Sequence, residues 1–522
     1  MERPSLVTSL LRPGAYMSGN GGPVELLQTH ISYILLTSRF AYKIKKPVNF
    51  GFLDFTTLAK RLHMCAEEVR LNSRLAPGVY IGVVKITESS GEFFMEGEGE
   101  AVEYAVKMRR LPEGNMLDKR LAAGQAGSAV IARIATVIAS FHAKADRGGR
   151  ISAFGSPEAV GANAAENFAQ TRPFIGKAIT AQAYERIKAY TDGFLRDNER
   201  FFIERVEKGF VRDCHGDIHC EHISIGEGAE GVEIIDCIEF NERFRFSDTI
   251  SDAAFLSMDL DFRGRHDLSL AFDDAYARAS GDSGGRRLLD FYRCYRAYVR
   301  GKVDGFKSME GEVGEEEKAL AEFSARYHFH LSSMYADKGY RPMMVVVRGL
   351  SGSGKSTVAS AISSRTGFAL LSSDRIRKEL AGLSQQERAP APFEQGIYSP
   401  SFTAKTYAGM IKRGFSLLAS GRPVILDATF SKRSLIRRAQ EAAAGAGALF
   451  RLVECACSEE VARDRIEKRS AGQAAPVVSD ADWSVYLKQK QSFELWDGPA
   501  ARLDTARPLA VIISGVAREI FD

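Results

Sequence analysis

The chain has 522 residues, and 70 Lys and Arg against 66 Asp and Glu leave a formal net charge of +4. At roughly 150 residues per domain, this length predicts about three domain-sized units. Apolar residues at 45% and charged residues at 26% are typical of globular proteins and exclude a disordered or fibrous chain. The small net charge excludes a chain-wide basic surface for non-specific nucleic-acid binding.

The sequence contains no segment that predicts a membrane span or a disulfide framework. The most apolar stretch, residues 126–141, is interrupted by Arg133, whereas a bilayer needs about 18 or more uncharged apolar residues. The seven cysteines lack paired spacing, which argues against a disulfide-stabilised fold. We therefore expect a cytoplasmic protein without membrane contact.

Strands and helices are mixed in the first two thirds of the chain. Apolar patterns within residues 30–104 predict strands at HISYILLT, FAYKIKK, YIGVVKI and EYAVKM. Helical spacing predicts a helix over 55–74 and further helices over 115–144 and 180–208. A short strand–loop–strand region, 211–240, precedes another helical block.

A different pattern begins after the sequence KGYRP, where glycine and proline interrupt the helical block. From there the apolar segments MMVVVRGL, FALLSSD, VILDAT and ALFRLVEC alternate with helical stretches, which predicts parallel βαβ units. We expect a first domain over residues 1–336, with lobes at about 1–108 and 109–336, and a second domain over residues 342–522.

Residues 349–357 read GLSGSGKST and match the phosphate-binding pattern GxxxxGK[ST] between a predicted strand and a predicted helix. Glycines allow backbone N–H groups to close around phosphates at a helix N-terminus, where the helix dipole favours anions. The lysine is expected to reach the β- and γ-phosphates of a nucleotide, and the following serine to ligate Mg²⁺. The residues predicted to bind nucleotide are Gly349, Ser351, Gly352, Ser353, Gly354, Lys355, Ser356 and Thr357.

Charged side chains follow the next two predicted strands, at the sheet edge where such folds bind ligands. Asp374 is a candidate to accept the proton of an acceptor hydroxyl, and Arg375 and Arg377 are candidates to hold an anionic acceptor. A helix N-cap at Asp374 with solvated arginines is the alternative. Asp427, which ends the strand VILD, is the expected carboxylate behind Mg²⁺.

Two arginines farther along the chain, Arg465 and Arg469, are spaced to lie on one face of a predicted helix. Such a pair is suited to close over the phosphates and neutralise the charge that develops in the transition state. A solvent-exposed charged helix has the same pattern, so both interpretations stay open.

The motifs GLSGSGKST, SSDRIRKEL, VILDAT and SDADW resemble those of AAA-type P-loop kinases related to polynucleotide 5′-kinases, gluconate kinases and zeta-type toxins. The resemblance covers about residues 343–522. In the polynucleotide kinase branch, an Asp followed by an Arg after the second strand serves the acceptor, which implies this role for Asp374 and Arg375. Asp480 and Asp482 belong to the SDADW motif, for which the resemblance gives no chemical role.

The densest group of reactive side chains is the segment CHGDIHCEH at residues 214–222. Its three His, two Cys and one Asp are compatible with a zinc site, although no CxxC spacing occurs. The segment also fits the kinase catalytic loop H-x-D-x-x-x-x-N, with Asp217 to position or deprotonate an acceptor hydroxyl and His222 at the Asn position. Asp236 ends the strand EIID and is expected to hold Mg²⁺ against the nucleotide phosphates.

An upstream lysine fits the same type of site. Lys43, in the predicted strand segment AYK, matches a lysine that contacts nucleotide phosphates, with Lys45 and Lys46 as rivals. Glu67 or Glu68, on the predicted helix, is expected to form the ion pair of this lysine. A solvated basic strand end is the alternative.

The segments SFHAKAD, HGDIH and IIDCIEFN resemble the aminoglycoside phosphotransferase-like kinases over roughly residues 30–330. In that family a two-lobed protein-kinase-like fold phosphorylates hydroxyls of small molecules. The whole chain is similar to bacterial proteins that fuse such a domain to a P-loop kinase domain. Two departures are visible: His222 replaces the Asn of the family pattern, and the expected phosphate loop lacks G-x-G-x-x-G.

The sequence therefore predicts an α/β and α+β chain, in which an N-terminal two-lobed protein-kinase-like fold precedes a P-loop NTPase domain with a parallel sheet flanked by helices. The expected activity is ATP-dependent phosphotransfer to a hydroxyl, on a 5′-OH nucleic-acid end or a small hydroxylated metabolite. ATP, or another nucleoside triphosphate, and Mg²⁺ are the expected cofactors. The alternative is a nucleotide-dependent regulatory protein in which the N-terminal domain is a pseudokinase.

Overall fold

The structure is a computed structural model that divides the chain into two compact units. The first contains Met1–Val160, Asn198–Leu256 and Ala271–Leu289, and the second contains Gly161–Asp197, Ser257–Leu270 and Asp290–Asp522. The residues that the structure describes are 5–17, 19, 22–51, 53–226, 231–311, 313–337, 339–384, 395–471 and 482–522.

The strands are numbered in chain order. They are β1 (Glu25–Gln28), β2 (Ser32–Leu36), β3 (Phe40–Lys45), β4 (Tyr80–Ser89), β5 (Glu92–Met95), β6 (Ala101–Arg109), β7 (Val211–Asp213), β8 (Ile223–Ile225), β9 (Val232–Ile234), β10 (Phe246–Asp248), β11 (Met343–Arg348), β12 (Ala369–Ser372), β13 (Val424–Asp427), β14 (Leu449–Ala456) and β15 (Ala501–Asp504).

The helices are numbered in the same way. They are α1 (Ser5–Leu10), α2 (Leu58–Asn72), α3 (Leu117–Ala122), α4 (Ser128–Lys144), α5 (Gly149–Ser152), α6 (Pro157–Thr171), α7 (Ala181–Asp197), α8 (Glu199–Glu207), α9 (Glu242–Arg245), α10 (Thr249–Phe262), α11 (His266–Ser280), α12 (Arg286–Met309), α13 (Glu315–Asp337), α14 (Lys355–Thr366), α15 (Ser373–Leu380), α16 (Pro400–Ala419), α17 (Arg433–Gly445), α18 (Glu459–Ser470), α19 (Trp483–Ser492) and α20 (Leu509–Phe521).

The first unit begins with a six-stranded sheet in the order β1-β2-β3-β6-β4-β5, in which adjacent strands run antiparallel. Helix α2 packs against β4 and β6. It begins after Thr57, whose hydroxyl accepts a hydrogen bond from the Lys60 amide at 3.3 Å. Because this cap fixes where the helix starts, it also fixes which of its side chains face the sheet.

Two short hairpins follow the sheet in the first unit and carry its reactive segment. β7 pairs with β10, and β8 pairs with β9, both antiparallel. Residues 214–222 connect β7 to β8, and Asp236 follows β9 by two positions. Helix α4 supports this region with a buried apolar stripe at helical spacing, formed by Ile131, Ile134 and Ile138. The hairpins therefore bring the loop and the second carboxylate to one end of the unit.

The second unit contains a five-stranded parallel sheet in the order β12-β13-β11-β14-β15. The central strand β11, MMVVVR, is buried at every position. Strands in parallel sheets are covered by helices on both faces, which explains the continuous apolar run instead of an alternating one. The phosphate-binding motif leaves the carboxyl end of β11 and enters α14.

The predicted fold class is confirmed: an antiparallel sheet with helices is followed by a parallel α/β sheet. The pattern misses β1, β5 and β15, because their side chains are mostly exposed or half-buried and form no apolar run. The domain boundary between residues 336 and 342 stays a prediction. Among the described helices, none combines the length and apolar character that crossing a membrane needs.

Candidate active sites

The phosphate loop of the second unit uses glycines where other residues are disfavoured. Gly349, Gly352 and Gly354 have φ angles of 156°, 77° and 76°. A Cβ atom at Gly352 would lie 2.7 Å from the carbonyl oxygen of Ala462, which is too close for any side chain. The loop therefore packs directly on neighbouring backbone, while Ser356, in the first turn of α14, stays exposed.

A buried carboxylate lies beside the loop. β13 is the direct parallel neighbour of β11, and its last residue, Asp427, lies opposite Val347. Asp427 is 4% exposed. Burial raises its pKa, and Lys355 and a hydrogen bond from Ser356 only partly oppose this. Its Oδ1 has no hydrogen-bond partner among the described residues. An unpartnered carboxylate oxygen beside a serine hydroxyl fits Mg²⁺, which prefers oxygen ligands.

A second carboxylate stands at the same sheet edge. Asp374 and Arg375 lie in the first turn of α15, directly after β12, and Asp374 is half-buried. The charge of Asp374 raises the pKa of Asp427, and that of Arg375 lowers it, so both side chains act on the buried carboxylate. The N-cap of α15 is Ser372, which removes the alternative that Asp374 serves as the cap. Tyr407, which sequence reasoning missed, is buried here, and burial raises its pKa to about 12.

The structure shows what Arg377 contacts. Its guanidinium group is buried and donates to the carbonyl of Ile397 at 2.7 Å and to the hydroxyl of Thr403 at 3.1 Å. It also lies over the ring of Tyr398. Arg377 therefore holds its own segment in place, and its role toward an anionic acceptor stays a prediction. Residues two positions apart point to opposite sides of a helix, so Arg375 and Arg377 have different surroundings.

Arg465 reaches the phosphate loop from α18. Its guanidinium group donates to the carbonyls of Gly352 at 3.4 Å and Thr505 at 2.7 Å. The Thr505 hydroxyl in turn donates to the carbonyl of Ser353 at 2.7 Å. Arg465 thus braces the loop from the side of β15. The catalytic roles of Arg465 and of Arg469, one turn later, stay predictions.

Helix α19 supplies a contact that sequence reasoning missed. Gln489 accepts hydrogen bonds from both the amide and the hydroxyl of Ser351, each at 3.0 Å. No local signal reveals this pair, because its members are 138 positions apart. In the SDADW motif, Asp482 caps α19 by accepting from the Val485 amide at 2.9 Å, whereas Asp480 lies outside the described residues.

In the first unit, a buried lysine joins two carboxylates. Lys43 Nζ lies 2.8 Å from Glu68 Oε1 and 2.5 Å from Asp236 Oδ1. Burial lowers the pKa of Lys43, but the two carboxylates outweigh this and hold it well above its usual value. Burial raises the pKa of Asp236, but the charge of Lys43 outweighs this and keeps the carboxyl group ionised. β3, α2 and the segment after β9 thus meet at one point.

The partner of Lys43 is Glu68 and not Glu67. The Glu67 carboxylate pairs with Arg70 on the outer side of α2, at 2.7 Å. Consecutive helix positions point about 100° apart, so only one of the two glutamates can face the sheet. Lys45, the rival lysine, lies 2.7 Å from Glu68 Oε2 and also contacts Glu239. Both lysines therefore share one buried carboxylate.

Asp252 of α10 anchors the loop after β7. Its carboxylate accepts hydrogen bonds from the amides of His215 and Gly216, each at 2.9 Å, and lies 3.1 Å from His142 Nε2. Burial lowers the pKa of His215 to about 4, and its neutral ring contacts the carbonyl of Ile235 at 3.1 Å. The loop is therefore fixed at its first residues, before the reactive carboxylate.

Asp217, His219 and His222 form a compact cluster at the end of this loop. Asp217 Oδ2 lies 3.6 Å from His219 Nε2 and 3.5 Å from His222 Nδ1. His222 Nε2 lies 3.6 Å from Asp236 Oδ2. Burial, and then His219, lowers the pKa of His222, which keeps its ring neutral. One imidazole therefore occupies the Asn position of the kinase pattern, between the two carboxylates.

The chain matches a known domain family, mycobacterial relatives and several solved structures. A family model described as an AAA domain matches residues 344–496. The uncharacterized protein Rv2004c of Mycobacterium tuberculosis is 32% identical over 485 residues, which are 93% of this chain and 93% of that protein. A solved gluconokinase from Sinorhizobium meliloti is 27% identical, covers 34% of this chain and 93% of its own, and has a TM-score of 0.25. A choline/ethanolamine kinase family protein from Mesorhizobium loti is 12% identical. The match covers 62% of this chain and 90% of that protein, with a TM-score of 0.39.

The parallel sheet, its phosphate loop and the match over residues 344–496 define the second unit as a P-loop domain, which follows a first unit built on an antiparallel sheet. The match over residues 344–496 confirms the P-loop resemblance found in the sequence. At 32% identity over 93% of both chains, the protein belongs to the same family as mycobacterial Rv2004c.

Gly352→Ala is expected to abolish nucleotide binding at the phosphate loop, because its φ of 77° and the 2.7 Å approach to Ala462 force the loop to move. Gly382→Ala is the control, since its φ is 71° but its Cβ would meet open space. That change costs only about 1 kcal/mol of backbone strain. ATP titration followed by tryptophan fluorescence reports on this unit, because it contains both tryptophans, Trp483 and Trp496. Equal ATP affinities of the two variants would contradict the assignment.

Glu68→Gln is expected to destabilise the first unit by about 3 kcal/mol, because it leaves two buried ammonium groups without their shared carboxylate. Glu67→Gln removes only the partly exposed pair with Arg70 and should change stability by less than about 0.5 kcal/mol. Hydrogen exchange of peptides from α2 and β3 measures both effects locally. A larger loss of protection in Glu67→Gln than in Glu68→Gln would reverse the assignment.

Proposed function

We propose that the second unit transfers the γ-phosphoryl group of ATP to a hydroxyl of an acceptor molecule. The observation that carries this proposal is the position of Asp374, which acts electrostatically on Asp427 at the sheet edge beside the phosphate loop. A nucleotide-binding protein without an acceptor needs only the loop and Asp427. A second carboxylate at this edge supplies what phosphoryl transfer needs in addition, a group that accepts the proton of the attacking hydroxyl.

Each side chain has a defined task in this reaction. The amides of the loop and Lys355 bind the phosphates, and Lys355 offsets the charge that develops on the transferred group. Ser356 and Asp427 would hold Mg²⁺, which neutralises charge on the β- and γ-phosphates. Asp374 orients the acceptor hydroxyl for in-line attack, and Arg375 attracts an acceptor that carries negative charge.

A small hydroxylated molecule is the acceptor class that we favour over a nucleic-acid end. A polyanionic acceptor needs several free cationic groups near the site. Arg377 is buried and bonded to its own segment. Arg433 of α17 donates to the carbonyl of Leu495 at 2.6 Å and pairs with Asp497 at 3.3 Å. Two of the arginines that a nucleic-acid backbone would use are therefore occupied by the protein itself.

For the first unit, we infer a second ATP site that transfers a phosphoryl group to another hydroxyl. The ion pair of Lys43 with Glu68 supports a role for Lys43 in contacting nucleotide phosphates and for the neighbouring Asp236 in holding a metal ion against them. We assign Asp217 to orient the acceptor hydroxyl. The rival is a unit that binds nucleotide without transfer, and the assembled Lys43–Glu68 pair with the anchored Asp217 loop favours the active form.

The experiment that tests both proposals measures transfer of label from γ-labelled ATP to sugars, other small polyols, nucleosides, aminoglycosides and 5′-OH oligonucleotides. Lys355→Ala should abolish transfer by the second unit. Asp374→Asn should lower it by at least about a hundredfold while ATP affinity stays within about threefold, because general-base groups contribute rate and not nucleotide binding. Asp217→Asn should lower transfer by the first unit to a similar extent.

Glu379→Gln is the matched control for Asp374→Asn. Glu379 lies on the same helix, but its carboxylate pairs with Arg413 at 2.7 Å on the surface. This control should transfer label at the wild-type rate. Undiminished transfer by Asp374→Asn would overturn the role of Asp374, and undiminished transfer by Asp217→Asn to every acceptor would leave the first unit as a binding module.

A further inference from the structure

The first unit contains a nitrogen donor where its fold leads one to expect an oxygen. Mg²⁺, which a kinase-like fold implies here, binds carboxylate, amide and water oxygens and rarely imidazole. His222 nevertheless stands where the kinase pattern has an Asn side-chain amide, and its Nε2 lies only 3.6 Å from Oδ2 of Asp236. The residues present at this place therefore fit a different class of metal ion better than they fit Mg²⁺.

The hydrogen bonds of His222 determine which ring nitrogen is available. Nδ1 lies 3.0 Å from the backbone carbonyl oxygen of Asp217. A carbonyl oxygen can only accept, so Nδ1 carries the hydrogen and Nε2 presents its lone pair. That lone pair is on the nitrogen that faces Asp236. An imidazole that donates one N–H to a backbone carbonyl while its other nitrogen binds metal is the usual arrangement at metal sites.

The separation between the two donor atoms suits a shared ion. Two ligands that each bind at about 2.1 Å lie about 3.0–3.4 Å apart in octahedral or tetrahedral sites. The observed 3.6 Å between His222 Nε2 and Asp236 Oδ2 needs only a small side-chain adjustment. Asp217, His219 and His222 also lie close enough together to hold an ion. In that group the nitrogen of His222 closest to Asp217 Oδ2, Nδ1 at 3.5 Å, already bonds to the Asp217 carbonyl.

Both donors are held in place by their own neighbours. The His222 amide donates to the carbonyl of His219, and the His222 carbonyl accepts from the amide of Ile235, each at 2.9 Å. Asp236 is fixed by Lys43 at 2.5 Å through Oδ1, and its amide donates to the Tyr80 hydroxyl at 3.1 Å. Oδ2, the oxygen nearer to His222, is therefore left to face the imidazole.

We propose that His222 Nε2 and the Asp236 carboxylate form a mixed nitrogen–oxygen metal site that selects a transition-metal ion such as Mn²⁺, Co²⁺ or Zn²⁺ over Mg²⁺. The proposal rests on the nucleotide site inferred for the first unit, because nucleotide phosphates and water fill the remaining coordination positions. Imidazole is a good ligand for these ions, and two protein donors plus phosphate oxygens suffice to hold one.

The test uses the full-length protein with ¹⁵N-labelled histidine, Mn²⁺ and a non-hydrolysable ATP analogue. Electron–nuclear double resonance detects ¹⁵N only where a histidine nitrogen binds Mn²⁺. The unlabelled nucleotide and the oxygen ligands expected in the second unit, Ser356 and Asp427, give no such signal. The wild-type protein should show this coupling, and His222→Asn should lose it. The control His219→Asn should keep it.

A competition titration gives a second measurement. In the wild-type protein, Mg²⁺ should displace Mn²⁺ from the first unit poorly, and His222→Asn should lower the required Mg²⁺ concentration by about tenfold or more. Absence of ¹⁵N coupling in the wild-type protein, or its persistence in His222→Asn, would overturn the proposal. If the first unit of the wild-type protein binds nucleotide but shows no ¹⁵N coupling, the metal assignment alone is overturned. If the first unit binds no nucleotide, both the nucleotide site and the metal site are overturned.

Discussion

The first unit depends on one buried carboxylate, that of Glu68, which neutralises Lys43 and Lys45 between the antiparallel sheet and α2. Moving an ammonium group out of water costs several kcal/mol, so neither lysine can be buried here without a fixed counter-charge. Asp236 and Glu239 complete the cluster, and three carboxylates then face two ammonium groups. Burial raises the pKa of Glu239, which is what an excess of negative charge in a dry environment produces. A cation beside Asp236 would relieve that excess, which supports the metal site proposed for the first unit.

The second unit also buries a carboxylate, that of Asp427, but in a different arrangement. Its parallel sheet places Asp427 at the end of β13, directly next to the strand that enters the phosphate loop. The carboxylate is buried, and the charges of Lys355 and Arg375 and a hydrogen bond from Ser356 only partly oppose the cost of its burial. On the other side, the loop packs closely on α18, because a Cβ atom at Gly352 would lie 2.7 Å from the Ala462 carbonyl oxygen. The incompletely satisfied carboxylate beside the loop supports the Mg²⁺ site proposed there.

The sequence was informative wherever function depends on contiguous residues. The phosphate loop, the carboxylates at the ends of apolar strands and the lysine in β3 all follow from local pattern. Within the first unit Lys43 lies beside Asp236, and within the second unit Asp427 lies beside the strand that enters the loop. The sequence did not reveal which way individual side chains point. Glu67 and Glu68 are adjacent in the sequence, and only the packing of α2 shows which one faces Lys43. Arg377 belongs to the same motif as Asp374, but its side chain turns into the protein. Contacts such as that of Gln489 with the phosphate loop join distant segments and leave no local pattern.

The contrast between the two proposed metal sites follows from the residues present in each unit. In the second unit, the candidate ligands are a hydroxyl and a carboxylate, both hard oxygen donors suited to Mg²⁺. In the first unit, the ligand beside Asp236 is an imidazole, whose orientation is set by the carbonyl of Asp217. A change from amide to imidazole does not simply weaken a magnesium site, because it replaces a weak neutral oxygen donor with a nitrogen donor that binds transition metals well. On the proposal made above, His222 changes the metal preference of the first unit and does not simply remove a ligand.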